Sequence, residues 1–591
     1  MSFHGARESL AWRSSCWLAL LLSGAIYAGF AAGFFPNPSG RLGEDYSYFL
    51  PLLLAGRYWI AVNGLWPPPV FSPAFCGGLP LLANPQSIFY SLPQALAQFV
   101  DPETSFYLTA VLSAWLGGVG TFLLLRRRFE ASVAAASLGA AMFLFNGFLL
   151  YRMAIGHATY HTLGLLPLLC WALLAPLAGR PDRAWRAATV IAGSGAMLAY
   201  IVYAGAPNMV VPLALAALAV WLLHALVHRP IWSFWPFGLA AGLLAAIAGA
   251  AKLVPAAVYV GNFARDGGLY LFPDPATALS ALFRAFFVPS TLPDFPERHE
   301  FEFGLGLAPL LLIVAGACVA IARGGVAWRR VGPRRALVAG VLAAVLAVPL
   351  WLNIGGPDFA AWLQKLPYIG ENGMLVRWFV IWQLPLTIAA ALLLDFILAG
   401  ARARGAAALV GIAATVAQTL IADIGHYRHQ PYDPAAILAA DRALRVTGAP
   451  PPVTAIAARG HFPDNDGLAA GQSAFPCYEP LFGYKLQSFP WGLRVGKLSQ
   501  PAHRLRNPAC YIYGTANDCT PGDTFTPEQR AAEAAFAAYR PFLYRVPWWQ
   551  RAADLASIAG LAAILAGLAL GLCGSLRRHR AAREIGVTRG A

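Results

Sequence analysis

The chain has 591 residues, of which only 12% are Asp, Glu, Lys or Arg, while 58% are hydrophobic and 13% aromatic; its mean hydropathy is +0.56. Water-soluble globular chains carry roughly 25% charged residues, so a soluble multidomain protein, a disordered chain and a disulfide-built secreted mini-domain are excluded. The balance of 43 basic to 28 acidic residues, formally +15, raises a nucleic-acid partner that the placement of the charges removes.

A helix needs about 20 apolar residues to cross a bilayer. Runs near that length fall at about 15–35, 105–125, 131–150, 161–179, 187–203, 208–228, 236–258, 303–322, 336–352, 376–399, 406–424 and 553–574. They predict an all-α polytopic membrane protein with about twelve transmembrane helices, 187–203 and 336–352 being the weakest runs. The first run exceeds the roughly 7–15 apolar residues of a signal peptide and has no clear small-x-small cleavage site, so it reads as the first span.

Lys and Arg in short connections mark the cytoplasmic side. With the N-terminus inside, the inner pieces hold 21 basic residues, among them Arg126 to Arg128, Arg334, Arg335 and five arginines from Arg577 onward, against four acids. The outer pieces hold 21 basic and 23 acidic residues, which leaves Lys252 and Asp395 inside the membrane. Topology therefore accounts for the basic balance without a nucleic acid. Asp395, near the inner end of its span, is expected to pair with Arg402.

This topology puts both termini in the cytoplasm and leaves four long outer segments, at about 36–104, 259–302, 353–375 and 425–551. Residues 1–424 then form the transmembrane module, 425–551 a small outer domain, and 552–591 the last helix with a basic tail. The outer domain is rich in turn residues, as in Asn465-Asp466-Gly467, which predicts short mixed structure with a helical patch near 527–539. No internal repeat is evident, which argues against an inverted-repeat transporter.

Cys16, Cys170, Cys318 and Cys573 fall in apolar spans, where cysteine acts as a small core residue. Cys76, Cys477, Cys510 and Cys519 fall in outer segments, where disulfides persist. Cys510 and Cys519 close a short loop and are expected to be bridged; Cys76 and Cys477 are the pair that remains. No Cys or His spacing matches a zinc site.

The first outer loop carries the densest signals. Glu44 and Asp45 stand side by side just after the first span, at the membrane boundary. A carboxylate beside a low-dielectric surface can serve as general base towards a hydroxyl, with the second orienting it or holding a divalent metal. Solvated loop acids, or an N-cap for the amphipathic segment that follows, account for the same pair. Further on, Trp66, Phe71, Phe75, Phe89 and Tyr90 suit a bilayer interface, and Gly77-Gly78 with the neighbouring prolines fixes the path of the chain.

An acidic residue after the first span (Asp45), Gly64-Leu65-Trp66-Pro67, Gly77 to Pro80, Ala83 to Gln86, Tyr90 and Pro93 together resemble the opening pattern of the YfhO-like bacterial membrane proteins, in the GT-C class of glycosyltransferases. Gly156-His157, Lys252-Leu253-Val254-Pro255 with Arg265, Glu302-Phe303-Gly304 and Arg377 continue the resemblance more loosely, over roughly residues 15–400. The resemblance implies a GT-C-like fold in the bacterial inner membrane and an inverting transfer of sugar from a polyprenyl-phosphate donor at the outer leaflet. The acceptor it implies is an envelope glycan, lipid or protein. It also implies a first-loop acid as base, and the order Glu44-Asp45 leaves open which of the two it is and whether a metal takes part.

A departing lipid phosphate needs positive groups around it. Lys252 in an apolar span, Arg377 at the start of another and Arg265 are the candidates, each with an anchoring role as the alternative. Arg152 reads as a helix-end anchor. His157 and His161 lie four apart and suit hydrogen-bonding roles better than a metal, and Glu302 opens its span. An O-antigen ligase or polymerase-like enzyme and a sugar-lipid transporter without chemistry are the other function classes. The acidic pair favours a transferase over the first, and the near absence of intramembrane charge disfavours the second.

Overall fold

The structure is a computed structural model. It describes the chain except residues 1–9, 176–182, 264–268, 293–297, 324–331, 367, 371, 423–430, 459–464, 483–488 and 589–591. Among the described residues, nine helices are long and apolar enough to cross a membrane, or ten if one bent pair counts as a span. The protein is thus a multi-pass, mostly helical membrane protein.

Ten of the expected runs fall on these helices, including the two weakest, which are found as Ala184–Tyr203 and Pro333–Asn353. The run at 236–258 is bent by 74° between Phe234–Ala248 and Ala250–Gly261, where Gly249 lets the helix axis turn. The runs at 161–179 and 303–322 are shorter helices, Ala158–Leu173 and Leu307–Ala322. The first of these begins as a 3-10 turn through Ala158–Leu165. The second is delayed because Gly304 and Gly306 both take positive φ.

Local capping sets several helix starts. Asp101, Ser132 and Asn146 each accept a bond from the backbone N–H three residues on, which satisfies one of the orphan donors of a first turn. The central span Val133–Ile155 is buried throughout and anchors the main apolar cluster, which includes Phe143, Phe148, Phe303 and Phe379.

The first loop and the segment after residue 431 form one unit. Leu42 bridges Tyr432, and Phe75 bridges Ala474 at the side of a three-stranded sheet. In that sheet Ala455–Ala458 runs parallel to Gln472–Phe475 and antiparallel to Gly496–Lys497. Disulfides join Cys76 to Cys477 and Cys510 to Cys519. Arg57 pairs with the buried Asp441 at 2.8 Å. Leu50, Phe75, Ile456, Phe482 and Phe536 share one apolar cluster, so the region expected as a small domain has a core in common with the first loop. Gly78 makes the tight join possible: its φ is +127°, and a Cβ there would lie 2.9 Å from the Arg506 carbonyl oxygen.

The helical patch expected near 527–539 is Arg530–Ala537, entered through a capping box between Thr526 and Gln529. Asp395 pairs with Arg404, at 3.2 Å, and not with Arg402. The buried Arg404 is the arginine that the helix Ala401–Ala422 turns inward.

Candidate functional site

Asp45 is placed by a glycine. The helix Gly147–Ile155 ends at Gly156, whose φ is +111°. A Cβ at Gly156 would stand 2.5 Å from Tyr46 N and 2.8 Å from Asp45 C, so only glycine lets the turn before Asp45 seat on this helix end. Asp45 N–H donates to the Ile155 carbonyl at 3.1 Å, and the Tyr46 hydroxyl donates to the Met153 carbonyl at 2.6 Å.

Asp45 occupies the N-cap position of the helix Tyr46–Asn63, yet its side chain makes no capping bond. The carboxylate turns the other way. Its Oδ2 lies 2.7 Å from His157 Nε2, and its Oδ1 accepts the Tyr478 hydroxyl at 2.9 Å.

The tautomer of His157 follows from its second neighbour. Nδ1 lies 3.1 Å from Arg152 Nη1, and a guanidinium has donors only, so Nδ1 must accept. The proton therefore sits on Nε2, donated to Asp45, and the ring is neutral. Burial acts in the same sense and pushes His157 down to about 4, against the opposing pull of Asp45. Burial alone would raise Asp45, but His157, then His299 and the Tyr478 hydroxyl outweigh it and hold the carboxyl below its ordinary value. Glu44, exposed beside it, is raised by partial burial and by the Asp45 charge.

Behind His157 lies a buried ion cluster. Arg152, fully buried, donates from Nη1 to Glu300 Oε2 at 2.8 Å and from Nη2 to the Glu300 carbonyl at 3.1 Å. Arg377 donates from Nε to Glu300 Oε2 at 2.8 Å and from Nη2 to Oε1. The Tyr160 ring underlies both guanidinium groups, at 5.1 and 5.7 Å. Burial would raise Glu300, but Arg152 and Arg377 hold it well below the usual carboxylate range. Arg152 and Arg377 thus approach one carboxylate, Glu300, from two sides.

Arg377 also lines a cavity of about 350 Å³, together with Asn84, Gln86, Leu253, Asn372 and Pro480. Asn84 donates to Glu479 Oε2 and to the Tyr48 hydroxyl, both at 2.9 Å. Tyr478 and its neighbours thus touch Asp45 on one side and build the cavity wall on the other.

The other residues that stand out in the sequence lie apart from this cluster. Lys252, buried, donates from Nζ to the Ser87 carbonyl at 2.9 Å and to the Tyr203 carbonyl at 3.3 Å. His161 contacts the Ala158 carbonyl at 2.6 Å and the Tyr200 hydroxyl at 2.7 Å, so it and His157 face different partners. Glu302 Oε1 accepts Arg298 Nε at 3.1 Å. Arg265 lies outside the described residues.

His157, His299 and Glu300 bring ligand atoms within 4.8 Å of one another, yet the set does not fit a divalent cation. Glu300 is held by two guanidinium groups, and His157 spends its lone pair on a third contact with Arg152. A cation there would displace those bonds and meet two fixed positive charges.

Glu300, His299 and Glu479 carry no mark in the sequence that singles them out, and Arg152, which looks there like an anchor, is a buried member of the cluster. Glu300 and Glu302 are indistinguishable by spacing alone. For Tyr478 a signal exists: it follows Cys477, the partner of first-loop Cys76.

No protein-family model and no curated protein matches the chain. Among solved structures, the chain is similar to the arabinofuranosyltransferase AftD from Mycobacteria, seen by single-particle cryo-EM. That match has 17% identity and a TM-score of 0.41, and covers 70% of this chain and 27% of that one. A mutant of the same transferase matches at 19% identity with a TM-score of 0.40, over 78% of this chain and 32% of that one. The chain therefore spans about a third or less of the length of the solved chains it matches.

Proposed function

We propose that the protein is an inverting glycosyltransferase that moves a sugar from a polyprenyl-phosphate donor to a hydroxyl acceptor, with Asp45 as the base. The observation that carries this reading is the Asp45 carboxylate, ionised and fixed by His157 and Tyr478, next to an ion cluster whose Arg377 faces a cavity. The motif resemblance in the first loop supports the same reading.

In this reaction the acceptor oxygen bonds to the anomeric carbon as the bond from that carbon to the phosphate oxygen breaks. The acceptor proton passes to Asp45, and the bonding pair leaves with the phosphate. An oxocarbenium-like transition state draws the acceptor proton off late, so a carboxylate that is ionised and held in place serves better than a strong but protonated one. Neutral His157 keeps Asp45 aimed without adding a positive charge that would blunt it. The Arg377 guanidinium, held by Glu300 at the edge of the cavity, is where negative charge developing on a phosphate would be stabilised. Arg377 is the direct phosphate contact in this reading. Lys252 holds the Ser87 carbonyl, and so the cavity wall, in position, while Arg265 is a further candidate for the phosphate and Glu44 for orienting the acceptor.

The arrangement that goes with this reading has twelve passages, two of them by the short helices, and cytoplasmic termini. The unit built from the first loop and residues 432–547 then lies on the outer face of the bacterial inner membrane, with Cys76–Cys477 and Cys510–Cys519 as its disulfides. The acceptor is an envelope glycan, lipid or protein.

Purified protein incubated with a panel of polyprenyl-phosphate sugars tests the reading. Consumption of at least one donor, dependent on an added glycan acceptor, is expected. A protein that binds such lipids and leaves all of them intact would replace the transferase reading with that of a carrier.

A further inference from the structure

A second cavity, of about 790 Å³, lies on the other side of the Lys252-anchored segment, between the first loop and the helices Ala184–Tyr203 and Trp548–Leu576. Its walls are graded. On the last helix Gln550, Asp554, Ser557, Leu561 and Ile564 all line it; their 4-3-4-3 spacing is one helix face. That face runs about 21 Å at 1.5 Å per residue, from three polar residues to two aliphatic ones. The facing helix repeats the gradient: Tyr203 and Tyr200 stand towards one end, and Ala199 and Ala196, which leave room, towards the other.

The polar end is built to receive hydroxyls. Gln550, buried, donates from Nε2 to Asp554 Oδ1 at 2.7 Å, while its Oε1 has no hydrogen-bond partner among the described residues. Gln550 is the partner that Asp554 has among the described residues, and no described Lys or Arg lines the cavity. Asp554 lies in the second turn of the last helix and is exposed, so its carboxylate is open to a ligand that enters the cavity it lines. On the last helix the atoms left open are acceptors, the Gln550 Oε1 and the Asp554 carboxylate, which a ligand hydroxyl would satisfy by donating. A phosphate headgroup would bring a second anion to Asp554. Tyrosine and tryptophan rings at the mouth, including the exposed Trp66, offer flat faces against which a sugar ring packs.

We propose that this cavity binds an amphiphile with an uncharged sugar headgroup, its hydroxyls donating to Gln550 and Asp554 and its apolar chain lying along Leu561 and Ile564. The site is separate from the Asp45 cluster, and the inference stands whether or not the chain transfers sugar.

Three photoreactive probes with one alkyl chain test it, headed by glucose, by phosphate and by a primary amine, on protein in nanodiscs. The glucoside is expected to label the last helix at least about fivefold more than either charged probe, the scale of one or two net hydrogen bonds. Asp554→Asn is expected to lower glucoside labelling by about fivefold, and Ala199→Phe to abolish it by filling the cavity. Amine or phosphate labelling equal to the glucoside's would overturn the headgroup assignment. Labelling unmoved by Ala199→Phe, at unchanged thermal unfolding, would overturn the site; if that variant does not fold, Gln550→Leu decides in its place.

Discussion

His157 gives its Nε2 proton to Asp45 across 2.7 Å while its Nδ1 accepts from Arg152. The imidazole is therefore a neutral spacer between an acid and a buried cation: its protonation would set an Nδ1–H donor against the Arg152 guanidinium and pair the charged ring with Asp45, which weakens Asp45 as a base. His157 sits near 4, below its ordinary 6.5, because it is buried, and Asp45 also lies below its ordinary value. Activity is expected to hold as pH falls through 6 and to collapse on approach to about 4. His157→Gln, which cannot charge but withdraws the group that does most to hold Asp45 low, is expected to lower turnover and to leave an acid limb set by Asp45 alone and moved upward; a pH–rate profile of both proteins checks it.

The same shift has a consequence for stability. A histidine neutral in the fold and free to charge when unfolded contributes stability that is complete above about 6.5 and is lost as pH falls towards 4. Asp45, held low, loses its contribution in the same direction, further into acid. Thermal unfolding between pH 7 and pH 4 is expected to show a fall in midpoint that His157→Gln reduces.

Tyr478 reaches Asp45 from a segment more than four hundred residues away. Tyr478→Phe removes only the hydroxyl and one hydrogen bond to a charged group, a loss of about tenfold or more in turnover. Its acid limb is expected to move upward, since Asp45 loses one of the groups that keep it ionised. A purely structural role for Tyr478 would leave that limb in place.

Cys477 stands next to Tyr478 and is tied to Cys76, whereas Cys510–Cys519 closes a local loop. Cys477→Ser is expected to lower turnover through Tyr478, and Cys519→Ser to cost stability with less effect on turnover. Initial rates and unfolding midpoints of the two variants separate the effects.

Glu300 stands between Arg152 and Arg377 and bonds to both. Glu300→Gln leaves two guanidinium groups facing each other in a buried site, a loss of about 3–5 kcal/mol in stability. Arg377→Lys keeps the charge but not the planar fork. It is expected to weaken donor binding while leaving the unfolding midpoint close to that of the wild type, and a donor titration with a thermal scan tests both.

The membrane helices are legible in the sequence because hydrocarbon imposes one rule, a run of apolar residues. That rule does not read a bend at Gly249, nor a start delayed to Leu307 by two glycines of positive φ. Asp45 stands out as an acid at a span boundary, and Gly156-His157 as a family-like step, but nothing in either motif says that they meet. Their contact depends on Gly156 admitting the 45–46 backbone. The choice between Glu302 and Glu300 turns on which face of a short 3-10 turn meets Arg152, and no periodicity carries that information.

Donor turnover by Asp45→Asn measures the central claim most directly. The substitution keeps the side chain's shape and its contacts with the Tyr478 hydroxyl, and removes the base. Turnover is expected to fall by about 10²–10⁴ in a protein that inserts and unfolds like the wild type, with Glu44→Gln milder. Near-wild-type turnover by Asp45→Asn would contradict the assignment of Asp45 as the base.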